Sequence, residues 1–185
     1  MGTICQHMRK TMGQEGFAAD LESFSELMDT LLEKHEDKYD QAKYVPLLKE
    51  LMTKTDYFIF LVEELDSKPT PRAQQLLLRT VETYLKIFLP VKQEKVGWEE
   101  PTNYPPPPLD EAMLKSLKAF LMAHPVGEFV NDNRMTLLTY YKTLKALTSV
   151  DSAALAEITS QAFISETLQI MRRDASNNIL HNHQR

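Results

Sequence analysis

The sequence predicts an all-α protein, with six to eight helices arranged as antiparallel hairpins in a single domain over residues 1–185. Its apolar residues include 25 Leu and 9 Met against 7 Ile and 8 Val. Unbranched and γ-branched side chains lose less rotamer freedom in a helix than β-branched ones, so this bias favours helix. Apolar residues also recur at helical spacing between turn signals. The composition, 43% hydrophobic and 25% charged, is that of an ordinary globular chain.

The first strong helical pattern follows Gly16, where apolar residues recur three or four positions apart: Phe17, Leu21, Phe24, Met28 and Leu31. It predicts a helix from about residue 17 to His35. The next apolar segment, from Pro46 to Leu65, contains six consecutive apolar residues at 57–62. We interpret this run as a buried helix, because the sequence offers no second strand with which it could pair.

The third helix has a clear start signal. Thr70 can accept a hydrogen bond from the first turn, and Pro71 suits the first helical position. The predicted helix continues to Pro90, and its apolar stripe is predicted to lie in the main core: Leu77, Val81, Leu85 and Phe88.

Further helices are predicted from Asp110 to His124, from Arg134 to Thr148, and after Asp151. The apolar stripes are Met113, Leu117, Phe120 and Leu121 in the first, Leu137, Tyr141 and Leu144 in the second, and Leu155, Ile158 and Ala162 in the third. Ile164, Leu168 and Met171 continue the last pattern through a predicted break at Ser165. Three hairpins result, at roughly 17–66, 70–124 and 134–175. They fit either an irregular armadillo/HEAT-like helical-repeat segment or a single helical bundle.

A proline-rich loop is predicted at residues 90–108, which contain six of the ten prolines. Tyr104 before four prolines resembles the ligand core that EVH1 domains bind, with Tyr in place of the usual Phe. The candidate partner-binding residues are Trp98, Tyr104, Pro105, Pro106, Pro107 and Pro108. The interpretation that the sequence favours is a rigid spacer that spans one end of the bundle, with Trp98 and Tyr104 packed back on it.

No common catalytic signature occurs in the sequence. Phosphate-binding glycine motifs and a GxSxG nucleophile elbow are missing. The histidines at 7, 35 and 124 are isolated in sequence, which predicts surface imidazoles and no metal site. We therefore expect no cofactor and no metal, and the sequence favours a protein that is not an enzyme. The net charge of −5 argues against nucleic acid as a partner.

A cytoplasmic or nuclear location is expected, because Cys5 is the only cysteine and no apolar run is long enough to span a membrane. Gly2 and Cys5 form a candidate acylation signal, although Gln6 replaces the expected Ser or Thr.

These observations predict a non-catalytic protein–protein interaction or scaffold module, which could be a regulatory or N-terminal segment of a larger protein. The alternatives are a helical enzyme whose site lies between helices without a local motif, and an N-terminally acylated peripheral membrane protein.

Overall fold

The computed structural model describes residues 16–36, 55–67, 70–89, 111–124, 126–129 and 134–173, together with His7, Lys10, Thr11 and Gln14. These ranges contain seven α-helices and a 3₁₀ helix, and no strand. The α-helices are α1 (Phe17–Glu36), α2 (Thr55–Asp66), α3 (Pro71–Lys86), α4 (Glu111–Ala123), α5 (Arg134–Val150), α6 (Ala154–Ile158) and α7 (Gln161–Arg173). The 3₁₀ helix is Val126–Phe129. The predicted all-α class is confirmed.

The predicted apolar stripes of the first helices form the core. All five stripe residues of α1 are buried, and so are Leu77, Val81, Leu85 and Phe88 at α3 and its C-terminal turn. The run at 57–62 lies within α2, so the helical interpretation of that segment is confirmed. The buried apolar residues of all seven helices belong to one contiguous cluster.

Helix α3 is the central element of the fold. Thr70 caps it as predicted, since its Oγ1 accepts a hydrogen bond from the backbone N–H of Ala73 (3.4 Å), and Pro71 occupies the first position. Ten of its residues are buried, including Thr80, Glu82 and Thr83. The helix is enclosed on most sides because it packs against α1, α2 and α5.

Alternate helices along the chain lie side by side. One row contains α1, α3 and α5, with α3 in the middle, and the other contains α2, α4 and α6. Helices α1 and α3 run parallel, because their ion pairs keep a constant offset of 50 residues: Glu22 with Arg72, and Asp29 with Arg79. These pairs are seven residues apart on each helix, which corresponds to about two turns.

Helices α3 and α5 also run in the same direction. Thr143 Oγ1 of α5 donates a hydrogen bond to the carbonyl oxygen of Leu78 in α3 (3.1 Å). Farther along both helices, Lys86 of α3 and Ser149 of α5 line one groove. In this row, α1 and α3 therefore each pack beside the helix that comes two places later in the chain.

The last part of the described chain differs from the sequence prediction. The break lies at Thr159 and Ser160, not at Ser165, because Ser160 Oγ caps α7 by accepting a hydrogen bond from the N–H of Phe163 (3.1 Å). Leu155 and Ala162 were expected on the buried face with Ile158, but only Ile158 is buried.

Helix α7 turns a different face inward from the one that the pattern predicted. Ile170 is its buried residue, and Tyr141 Oη of α5 donates a hydrogen bond to Thr167 Oγ1 (3.3 Å) on the inner side. Ile164 and Leu168 are about half exposed (49% and 48%). Two residues of the predicted stripe, Ile164 and Leu168, therefore face solvent, whereas the third, Met171, is partly buried.

Candidate interaction site

A groove of about 260 Å³ lies between the parallel helices α3 and α5. It is lined by two residues of α3 and four of α5: Glu82, Lys86, Lys142, Lys145, Ala146 and Ser149. The α3 residues are one helical turn apart, and the α5 residues follow the spacing i, i+3, i+4, i+7, which places each set on a single face. Two helix faces therefore form the walls of the groove.

Two of the lining residues on α5, Ala146 and Ser149, have small side chains. Ala146 is buried and contributes only a methyl group, which leaves space between the longer side chains around it. Ser149 Oγ donates a hydrogen bond to the carbonyl oxygen of Lys145 (2.8 Å), which fixes the orientation of the hydroxyl. Its oxygen lone pairs remain able to accept a hydrogen bond from a ligand.

The groove carries unequal charge. Glu82, whose side chain is 10% exposed, forms an ion pair with Lys86 of the same helix (Nζ–Oε1 2.6 Å). Neither Lys142 nor Lys145 takes part in an ion pair between described residues. Helix α5 itself contains no Asp or Glu. The α5 wall is therefore a cationic surface without a compensating carboxylate in its own helix.

A second polar cluster surrounds His124, directly after α4. Its Nε2 lies 2.8 Å from Asp66 Oδ1 at the end of α2, and its Nδ1 lies 2.9 Å from Glu128 Oε2 in the 3₁₀ helix. The imidazole also lies against Phe120 (ring centroids 4.6 Å apart). Burial by itself would lower the pKa of His124, but the hydrogen bonds to Asp66 and Glu128 outweigh it and raise the pKa.

The imidazole of His124, predicted to lie at the surface, is partly buried, with a side chain that is 13% exposed. The Asp66 carboxylate that contacts its Nε2 comes from a residue 58 positions away in the sequence. Both ring nitrogens are held by carboxylates, which leaves neither to accept a proton from a nucleophile. The cluster joins the ends of α2 and α4 to the 3₁₀ helix, and its geometry is that of a structural clasp.

Lys118 of α4 forms a third polar cluster. Its Nζ lies 2.9 Å from both Asp151 Oδ2 and Glu157 Oε2, which connects α4 to the start and the body of α6. The hydrogen bonds to Glu157 and Asp151 raise the pKa of Lys118, and the bond from Lys118 lowers the pKa of Asp151. Asp151 Oδ1 also accepts a hydrogen bond from the N–H of Ala153 (3.0 Å), the residue at which α6 is capped without a side-chain hydrogen bond.

The candidate partner-binding and acylation residues lie outside the described residues, as does the proline-rich segment 90–108: Gly2, Cys5, Trp98, Tyr104, Pro105, Pro106, Pro107 and Pro108. In the ranges that the structure describes, no group of three or more His, Cys, Asp and Glu is placed to hold a metal ion. None of the helices in those ranges is long and apolar enough to cross a membrane.

The groove between α3 and α5, called the lysine groove after Lys86, Lys142 and Lys145, was not predicted from the sequence. The signal was present, because residues 134–150 include three basic residues and no acidic one. The position of α3 beside α5 was needed to convert that bias into a site.

No protein-family model matches the chain, and no curated protein or solved structure matches it. Its function is therefore inferred from the chain's own residues.

Proposed function

We propose that this chain is a non-catalytic protein-binding module, built as a helical-repeat scaffold, that takes its partner along the face formed by α3 and α5. The observation that carries the proposal is the groove between these helices, in which Lys142 and Lys145 stand without a described carboxylate partner. Charged side chains on rigid helices can bind without a large ordering cost, because the groove is already formed.

The arrangement of the helices supports a repeat scaffold. In helical-repeat proteins, consecutive helical hairpins stack so that alternate helices form two rows, and the rows provide extended binding surfaces. The packing of α1, α3 and α5 in one row and of α2, α4 and α6 in another follows the same order. We therefore favour the armadillo/HEAT-like alternative over the closed bundle.

An enzymatic function has less support from the described polar clusters. The His124 and Lys118 clusters are each saturated by ion pairs within the fold, so their polar atoms serve the packing of α2, α4 and α6. Glu82 is the one carboxylate among the residues that line the α3–α5 groove, and it already forms an ion pair with Lys86. It is therefore not free to act as a general base for the lysines.

Site-specific photocrosslinking tests the proposal. A photoreactive amino acid at Ser149, in the groove, is compared in cells with the same amino acid at Lys115, an exposed position on α4. We expect one protein to crosslink from position 149 and not from 115, and to form a one-to-one complex with the chain when both are purified. Equal crosslinking from both positions, or no complex between the purified proteins, would refute the proposal.

A further inference from the structure

The row of α1, α3 and α5 has a directional charge pattern. Helix α1 contains six carboxylates and one lysine, whereas α5 contains Arg134, Lys142 and Lys145 and no carboxylate. Between α1 and α3, acidic side chains of the first helix meet basic side chains of the second: Glu22 with Arg72, and Asp29 with Arg79. Positive charge on α3 is therefore neutralised by the helix on one side of it.

The other side of α3 has no equivalent neutralisation. The groove residue Glu82 is bound to Lys86, and this pair leaves the charges of Lys142 and Lys145 uncompensated. Lysine ammonium groups are compact donors with three N–H bonds each, and they pair readily with carboxylates. On the side of α3 that faces α1, cationic side chains are paired with carboxylates of α1. On the side that faces α5, the groove presents cationic side chains without such carboxylates.

We propose that the groove between α3 and α5 binds an acidic segment of a protein partner, with its Asp or Glu carboxylates paired to Lys142 and Lys145. This assignment of the partner's chemistry rests on the proposed function. Ser149 adds a hydroxyl at the end of the groove, and Ala146 leaves room for a side chain between the two helices. The segment supplies the negative charge that the α5 wall lacks.

An acidic peptide fits this surface better than a nucleic acid or a membrane does. A nucleic acid requires a stripe of basic residues, but the chain has a net charge of −5 and the groove holds three lysines and one glutamate. Attraction to an anionic bilayer typically uses clusters of about four to eight basic residues on an accessible surface. A concave groove between two helices instead suits a narrow chain.

The charge pattern also predicts how binding depends on salt. Exposed charges are screened within about 8 Å at physiological ionic strength, and attraction between complementary patches chiefly increases the association rate. Binding of an acidic segment is therefore expected to weaken as salt is raised, mainly through slower association.

Fluorescence anisotropy with a labelled decaglutamate peptide tests this inference, and a decaglutamine peptide controls for charge. In the full chain, Lys142→Glu combined with Lys145→Glu is expected to weaken decaglutamate binding at least tenfold. The matched control reverses two exposed cations outside the groove, Lys115→Glu and Arg172→Glu, so that the net charge changes equally. The control is expected to change the affinity less than twofold, with both variants retaining the helical circular dichroism of the wild type.

Three results would overturn the inference. One is equal loss of decaglutamate binding in both double variants, because it would reflect net charge alone. Another is decaglutamine binding as tight as decaglutamate binding. The third is preferential binding of phosphatidylserine vesicles, of a thymidine oligonucleotide or of a second copy of the chain through the same lysines. If the photocrosslinked partner still binds at Ser149 through a neutral segment, the proposed function stands and the acidic-segment inference fails.

Discussion

The hydroxyl of Thr143 in α5 lies 3.1 Å from the carbonyl oxygen of Leu78 in α3 and 2.9 Å from that of Thr139 in its own helix. A hydroxyl has one proton, so the two carbonyls share a single donor. The site is fully buried, and the shared donor connects helices whose residues are 65 positions apart. This contact helps to set the spacing of the two helices that form the lysine groove.

Replacing Thr143 with Val is expected to reduce the free energy of unfolding by about 1 kcal/mol, because the shape is kept and the hydrogen bond between helices is lost. Thr80 provides the matched control. It is equally buried, but its hydroxyl bonds only to the carbonyl of Leu76 in the same helix (2.8 Å). Thr80→Val is therefore expected to cost less than about 0.5 kcal/mol in urea denaturation. Equal costs would show that the bond to Leu78 contributes nothing specific.

The helices followed from the sequence because the signals that specify them are local. The stripe of Phe24 and Met28 and the cap at Thr70 each lie within a few residues of the helix that they define. The packing neighbours of each helix could not be predicted in this way, because the residue pairs that define them are distant in sequence. Arg79 meets Asp29 across 50 positions, and nothing near either residue indicates its partner.

The candidate site could not be predicted for the same reason, because the residues that form it are distant in sequence. The basic bias of residues 134–150 was visible in the sequence, but the groove exists only because Glu82 and Lys86 of α3 lie opposite. The carboxylate contact of His124 could not be predicted for the same reason, because Asp66 comes from another helix. In α7, periodicity predicted the stripe that includes Ile164 and Leu168, but the helix packs against the 3₁₀ helix and buries Ile170 instead.

The orientation of α7 can be tested by comparing two alanine variants. Ile170→Ala is expected to reduce the free energy of unfolding by about 2 kcal/mol, since Ile170 is 4% exposed and its removal leaves a cavity. Leu168→Ala is expected to cost about 0.5 kcal/mol or less, because that side chain is half exposed. Chemical denaturation of both variants measures the difference. The reverse order of costs would mean that the outer stripe is the packed one.

The clasp at His124 predicts a pH dependence of stability. Its pKa is raised above the ordinary value of 6.5 in the folded state, so the clasp stabilises the fold fully below about pH 6.5 and is lost as pH rises through the raised pKa. The contribution is expected to be about 1 kcal/mol or less, because Asp66 and Glu128 are largely exposed.

His124→Gln keeps a polar side chain without the positive charge, which isolates the contribution of protonation. We expect this variant to lose stability relative to the wild type at pH 6 and much less at pH 9. An NMR titration of the wild-type imidazole checks the direction of the pKa shift independently. A stability difference that is the same at both pH values would contradict an ionic clasp.

Glu64 in α2 is expected to destabilise the fold at neutral pH. It is buried, and desolvation, with a smaller effect from the neighbouring Glu63, raises the pKa of its carboxyl group. A raised folded-state pKa means that protonation stabilises the fold, so this stability is present below the unfolded pKa of about 4.3 and is lost as pH rises through the folded pKa.

Glu64→Gln should therefore increase the free energy of unfolding at pH 7 by roughly 1 kcal/mol, and the gain should disappear near pH 4. Glu63→Gln, at the exposed neighbouring position, should change stability by less than about 0.5 kcal/mol. Urea denaturation of the three proteins at pH 4 and pH 7 provides the comparison, and a loss of stability in Glu64→Gln at pH 7 would show that the ionised carboxylate is needed.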